Sequence, residues 1–234
     1  MIRALGLRLL FAAGAVVGLV VAVFVFFRSL ARGARSFHPR GTVCTAEVTA
    51  LDEVVRLSGS ARVRLSGATE PENSPAQTIL GMAIALDDQD LPVATFESFL
   101  HASAATKNTN VADYLANQYA SVTPWRARGL GIVWLRAVPA ATAASTGTRL
   151  ERLDADIAAG RATFTLEARV APGPDGAVRC RLAELRLTAR LPDDDPGFRV
   201  TFRTGRGLVP TGFRNGVRAV AYPSSQLARR LRGG

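Results

Sequence analysis

The sequence predicts an α+β protein: an antiparallel sheet curving into a barrel, with inserted and C-terminal helices and one helix ahead of it long enough to cross a membrane. Three observations carry this. Leu9 to Phe27 contains no charged or strongly polar side chain, and about twenty such residues at 1.5 Å each span a hydrocarbon core. Several later segments alternate apolar with polar residues at period two and are separated by Pro/Gly/Asp-rich turns, the mark of antiparallel strands with one buried face. The last twenty residues repeat at helical spacing. An open α+β sheet covered by helices on one side is the alternative arrangement.

In chain order, residues 1–34 form the transmembrane anchor and basic linker, and residues 35–234 the barrel domain. A cleaved signal peptide competes for the first segment, but the apolar run exceeds the usual length and Ala31-Arg-Gly-Ala34 is a poor cleavage site. Arg3 and Arg8 precede the run, whereas Arg28, Arg32, Arg35 and Arg40 follow it, so the excess of positive charge places the C-terminal domain on the cytoplasmic side of a single-pass protein. Thr42 to Leu51 and Ala61 to Ser66 read as strands; Ile79 to Leu86 is a continuous apolar run suited to a strand buried on both faces. Glu70 to Pro75 is a turn-rich loop. Thr95 caps a short helix carrying Phe96, Phe99 and Leu100, and Val111 to Val122 places Val111, Tyr114, Leu115 and Gln118 on one helical face. Gly129 to Val138, Thr163 to Val170, Val178 to Leu191 and Phe198 to Thr204 complete an antiparallel meander. A final helix starts at Asn215 or Gly216, with Pro223 bending it.

Composition narrows the function. The net charge of +10 comes almost wholly from arginine interleaved with acidic and apolar residues, and no aromatic-basic cluster marks a nucleic-acid groove, so no nucleic-acid partner is expected. Cys44 and Cys180 lack metal-ligand spacing and are left either reduced or paired. There is no nucleophile elbow, HExxH, P-loop or GxGxxG. Asp193-Asp194-Asp195 reads as an acidic turn rather than a cation site, and His101 as a solvent-facing helix residue.

Four segments remain: Arg35-Ser-Phe-His38-Pro-Arg-Gly41, Arg64-Leu65-Ser66, Gly81-Met-Ala-Ile-Ala-Leu86, and Arg218-Ala-Val-Ala-Tyr222-Pro223. In this order they resemble the haem catalase superfamily, specifically its short catalase-related members, over about residues 35 to 231. The resemblance implies a catalase-like barrel holding haem b, with Tyr222 as axial iron ligand, Arg218 as the tuner of that ligand, His38 as distal acid/base oriented by Ser66, and Arg35 and Arg64 on the haem propionates. It implies peroxide and an organic electron donor as partners.

Elementary chemistry runs beside that resemblance. A phenol with a pKa near 10 ligates ferric iron as phenolate only with a positive charge at hand, and an arginine one helical turn earlier can supply it. A neutral imidazole can take a proton from peroxide and return it to the departing oxygen if its other nitrogen is held. Guanidinium forks suit carboxylates. Read without the resemblance, Tyr222 is a core aromatic, Arg218 a solvated helix residue and His38 a surface residue before proline. One departure bears on activity: the family's distal asparagine stretch is replaced by Asp90-Leu-Pro-Val-Ala-Thr-Phe96. Weak or absent catalase activity, and peroxidase-like reduction of hydrogen peroxide or an organic or lipid hydroperoxide at the expense of an organic electron donor, are therefore expected. The alternative is a haem-free barrel that binds a lipid-like ligand or a membrane protein. Oligomeric state is left open.

Overall fold

The computed structural model describes residues 2–33, 35, 38, 40–68, 76–96, 102–140, 146–170, 177–192 and 198–232. The expected Glu70 to Pro75 loop, Phe99, Leu100, His101, the Asp193 to Asp195 turn and the Pro172 to Gly176 turn lie outside them.

Eight strands close into an antiparallel barrel: β1 (Thr42–Ala50), β2 (Gly59–Gly67), β3 (Leu80–Ala85), β4 (Asp90–Ala94), β5 (Tyr119–Ala120), β7 (Gly131–Pro139), β8 (Thr163–Arg169) and β9 (Val178–Arg190). Neighbours pair in the order β7-β5-β4-β3-β2-β1-β9-β8, and β8 pairs back to β7 to shut the ring. The short β6 (Trp125–Ala127) makes a hairpin with β7, and β10 (Leu208–Pro210) pairs with β6. Alternation fills the lumen. Cys44, Ala46 and Val48 of β1, Val63 and Leu65 of β2, Met82 and Ile84 of β3, Phe164 and Leu166 of β8 and Leu185 and Leu187 of β9 belong to one buried core. Mixing alanines with leucines and phenylalanine is what a tapering small barrel needs.

Among the described residues four helices accompany the barrel: α1 (Ile2–Arg32), α2 (Ala102–Asn108), α3 (Arg149–Ala158) and α4 (Gly212–Leu231). α1 is the one described helix long and apolar enough to cross a membrane; within Leu5–Arg32 it holds an 18-residue window of mean hydropathy 2.9. Its close packing is along α4, whereas α4 makes no comparable backbone packing with the barrel strands.

The structure corrects several expectations. Val111 to Val122 is not a helix but a run of turns leading into β5. Polar side chains there capture the backbone: Asn110 accepts from the Ala112 amide, Asp113 from the Leu115 amide, and Asn117 both accepts from the Asn110 amide and donates to the Asn110 and Asp113 carbonyls. Such local bonds compete with the helical ladder. The short helix expected after Thr95 falls outside the described residues; the Thr95 hydroxyl itself accepts from the Leu80 amide and bonds Thr109. Asp90 to Ala94, not anticipated as a strand, tolerates Pro92 because β5 meets β4 only at Ala94. Phe198 to Thr204 is not a strand. Its amides at Thr201 and Arg203 donate to the Asp90 carboxylate rather than to a neighbouring strand. α3 was not anticipated, although Thr148 and Glu151 form a capping box in front of it. α4 begins at Gly212 and runs through Pro223. Cys44 and Cys180 are both free. Cys44 sits opposite Arg190, ten positions along β9 from Cys180 or roughly 30 Å of strand, far outside disulfide reach.

Candidate functional site

The outward faces of β1, β2 and β3 form a wall beside the chain 198–203 and α4. Strand register decides what that wall presents. Arg64 lies opposite Val43 on one side and Ala83 on the other, and Ser66 lies opposite Gly81. Both Arg64 and Ser66 point away from the lumen yet are buried, because other parts of the chain cover them.

His38 is one of those covers. Its backbone takes a left-handed φ of +54°, unusual for a side-chain-bearing residue. Bonds on three sides hold it there: its amide donates to the Ala68 carbonyl at 3.0 Å, Arg64 donates to its carbonyl at 2.9 Å, and Ser66 Oγ lies 3.1 Å from its Nδ1. The ring rests on Gly81, where a Cβ would stand 2.9 Å from His38 Cε1. Gly41 is equally constrained, since a Cβ there would come within 2.6 Å of the Ser66 side chain. The residue keeps some exposed surface while its imidazole is enclosed. That enclosure, with the positive fields of Arg64 and Arg218, lowers its pKa from 6.5 to about 4 against the opposing hydrogen bonds of the Ser66 and Gly67 backbone. His38 is therefore a neutral imidazole at neutral pH.

Across from it, α4 carries Arg218 and Tyr222. The Tyr222 ring lies 5.3 Å from that of Phe202, tilted by 47°, and joins a small apolar cluster of Val43, Phe198 and Val200 with Ala83 and Ala85. Arg35 donates to the Phe198 carbonyl at 2.9 Å and its guanidinium stands 5.9 Å from the Phe198 ring centre. Thus His38, Ser66 and Arg64 are in direct contact, Arg218 acts on His38 through its charge, and Arg35 and Tyr222 meet the same cluster around Phe198.

The chain 198–203 that joins these groups is pinned by Asp90. Fully buried, Asp90 accepts from the Thr201 amide at 2.7 Å, the Arg203 amide at 3.1 Å and the Arg203 guanidinium at 2.8 Å. Sequence reasoning noted Asp90 only as part of a departure and missed this positioning role; a lone aspartate gives no such signal. It also missed Gly81 as the seat of His38. An open cavity of about 450 Å³ adjoins the wall, with Arg62, Ala85, Phe198, Arg199 and Arg203 among its lining residues.

Comparison with solved structures gives the architecture a precedent. The fold is similar to that of a fungal catalase, with TM-score 0.53 and 11% identity over 84% of this chain and 59% of that one. It is equally similar to catalase A from Saccharomyces cerevisiae, with TM-score 0.54 and 10% identity over 84% of this chain and 61% of that one. The chain has a catalase-like fold. It spans about three-fifths of the length of those catalases. No family model and no curated protein matches it.

On that fold, the residues present fit haem in kind. Among the described residues no three His, Cys, Asp or Glu side chains converge on one point; an iron already held by a porphyrin needs only one protein ligand, which a phenolate can be. The wall presents small residues beneath both groups, Gly81 under the His38 ring and Ala83 beside the cluster that Tyr222 joins. An enclosed neutral imidazole and several arginines stand around it.

Proposed function

We propose that this protein is a haem-dependent, peroxidase-like oxidoreductase acting on hydrogen peroxide or a lipid hydroperoxide, attached to a membrane through residues 9–27. The observation that carries the reading is the His38 dyad: an imidazole enclosed on the barrel's outer wall, kept neutral, held at Nδ1 by Ser66, and facing the helix of Arg218 and Tyr222. Tyr222 is the group that would hold the iron of haem b, Arg218 would stabilise its phenolate, and Arg35 and Arg64 would meet the propionates. Haem, when bound, supplies the two-electron reduction of the peroxide bond, ROOH + 2 H⁺ + 2 e⁻ → ROH + H₂O, with the electrons restored by an organic donor.

The chain's own contribution is proton handling. With Nδ1–H donating to Ser66 Oγ, the lone pair lies on Nε2, which can accept the proton of the arriving peroxide and deliver it to the departing oxygen. A pKa of about 4 makes the imidazolium a ready donor once it forms. Efficient dismutation of two peroxides is not expected: the stretch 90–96 has no asparagine, and Asp90 is committed to Thr201 and Arg203.

One observation favours a second reading. The Tyr222 ring already packs on Phe202 and the Val43 cluster, as it would in a barrel that has lost haem and takes a lipid-like ligand or a membrane protein. Haemin titration of the purified full chain separates the two. A strong Soret band of ferric-phenolate character that Tyr222→Phe abolishes, and Tyr114→Phe leaves intact, supports haem; protein that stays colourless removes it. His38→Ala should retain the band and slow the reaction with peroxide by about 10².

A further inference from the structure

We propose that α1 does not cross the membrane but lies along it, docked on α4, with its free face sunk into a single leaflet that carries anionic headgroups. This rests on the reading of α1 as a membrane-seeking segment and concerns how it engages the bilayer.

The pairing of α1 with α4 is the first observation. A Cβ on Gly14 would fall 1.9 Å from the Phe213 carbonyl oxygen, one on Gly18 would fall 3.0 Å from that of Val217, and one on Gly216 would fall 2.1 Å from that of Phe11. The backbones therefore touch where only glycine allows it. Further along, Ser29 and Ser225 share a buried hydroxyl bond of 2.7 Å, and the Arg232 guanidinium donates to the carbonyls of Leu30 and Ala31. The contacts advance together along both chains, so the helices run parallel and side by side from about Phe11 to Ala31.

That alignment sets the height of α1 against the rest of the molecule. α4 carries Tyr222, whose ring touches Phe202, and the 198–203 chain is fastened to the barrel by Asp90. The middle of α1 is thus level with the barrel wall. If α1 crossed a bilayer with this pairing intact, Arg214 and Arg218 of α4 would be carried to the depth of the hydrocarbon, together with the 198–203 chain that touches Tyr222. Charged groups there are rare and costly. Lying in the plane, α1 keeps all of them in water.

The free face identifies the occupant. Leu9, Val16, Val20, Val23, Phe24 and Phe27 are each at least 58% exposed, and they recur at helical spacing on the side away from Gly14, Gly18, Val25 and Ser29, which are buried. No side chain between Leu9 and Phe27 offers a strong polar group, whereas protein interfaces ordinarily carry about one hydrogen bond per 100–200 Å². Arginines bracket the face: Arg8 is exposed at one end, and Arg32, Arg230 and Arg232 at the other. An apolar strip with cations at its ends and a net charge of +10 matches an acyl layer beneath anionic headgroups. Under the proposed function, this sets the helix of Tyr222 beside the leaflet, where lipid hydroperoxides reside.

The test places single cysteines in a full-length Cys180→Ser background. Cys44 stays silent, buried with its thiol pushed up to about 12. Arg8→Cys and Val178→Cys, both at exposed positions and the first at the headgroup end of the strip, are treated with a membrane-impermeant maleimide in sealed vesicles before and after detergent. We expect both to react to the same extent before detergent. Arg8→Cys reacting only after detergent, while Val178→Cys reacts before it, would show a spanning helix and overturn the proposal while leaving membrane attachment intact. Nitroxides at Leu9→Cys, Val20→Cys and Phe27→Cys should report one common immersion depth; a graded depth overturns it as well. Intact protein that does not sediment with phosphatidylcholine–phosphatidylglycerol vesicles, or that is recovered shortened at its N-terminus, would remove the membrane reading itself. None of these readouts depends on haem.

Discussion

Acidification should weaken the fold through His38 in a calculable way. In the unfolded chain its imidazole titrates near 6.5, and in the folded protein near 4. Above pH 6.5 the ring is neutral in both states and contributes nothing to the pH dependence. Between 6.5 and 4 the unfolded chain takes up a proton that the folded site refuses, so the unfolded state gains. Below 4 both states are protonated and the loss is complete. At 1.36 kcal/mol per pKa unit the 2.5-unit gap amounts to about 3 kcal/mol, a large share of an ordinary domain's stability. Carboxylates titrate over the same range, so the measurement must be differential. Urea unfolding of the full chain in detergent, followed by tryptophan fluorescence from about pH 7.5 to about pH 4, is compared with His38→Gln, which cannot titrate. The parent should lose about 3 kcal/mol more than the variant over that range. Parallel curves would show that His38 is not enclosed and would refute the account of its neutrality.

Three further outcomes follow from the same geometry. Gly81→Ala forces a methyl into the His38 ring, whose atoms lie 2.9 and 3.2 Å away; we expect about 1–3 kcal/mol of destabilisation by overpacking, seen as a lowered thermal midpoint, and slower peroxide reaction in the haem-loaded protein. Asp90→Asn removes the charge that gathers two amides and the Arg203 guanidinium, and should cost about 2–4 kcal/mol in urea unfolding while loosening the 198–203 chain to protease. Deleting residues 1–33 strips α4 of its close packing partner, so the remaining domain should show amide exchange in α4 well ahead of the barrel strands and weaker haem retention; equal protection throughout would show that α4 is held by the barrel alone.

The barrel was legible in the sequence because a strand with one buried face must alternate. Thr42 to Leu51, Ala61 to Ser66, Thr163 to Val170 and Val178 to Leu191 announce themselves in this way; β1, β8 and β9 lie within them, and β2 extends the second at both ends. The readings that failed are those where a few specific bonds outweigh periodicity. Asn110, Asp113 and Asn117 convert a helical pattern into turns, and Asp90 draws the amides of a strand-like segment away from any sheet. The capping box ahead of α3 and the Gly14-x-x-x-Gly18 spacing in α1 were present as local signals, the second pointing to a close helix partner without saying which.

For the candidate site, the sequence by itself determined the inventory: one histidine near an arginine and a proline, an Arg-x-Ser strand, a glycine-led strand, and an arginine one turn before a tyrosine. Only the tertiary structure decided that these belong together. Strand register sets Ser66 opposite Gly81, the bare glycine makes room for the His38 ring, and the wrapping of residues 198–203 and α4 over that wall brings Tyr222 and Arg218 to its far side. Likewise, hydropathy alone determined that α1 seeks an apolar surround, while its contact with Phe213, Val217 and Ser225 decided which side is left free. The physical reason is the same in both cases. Burial periodicity is a property of each segment, whereas neutrality of an imidazole, closeness of two backbones and the facing of a helix depend on groups far apart in the chain that meet only when it folds.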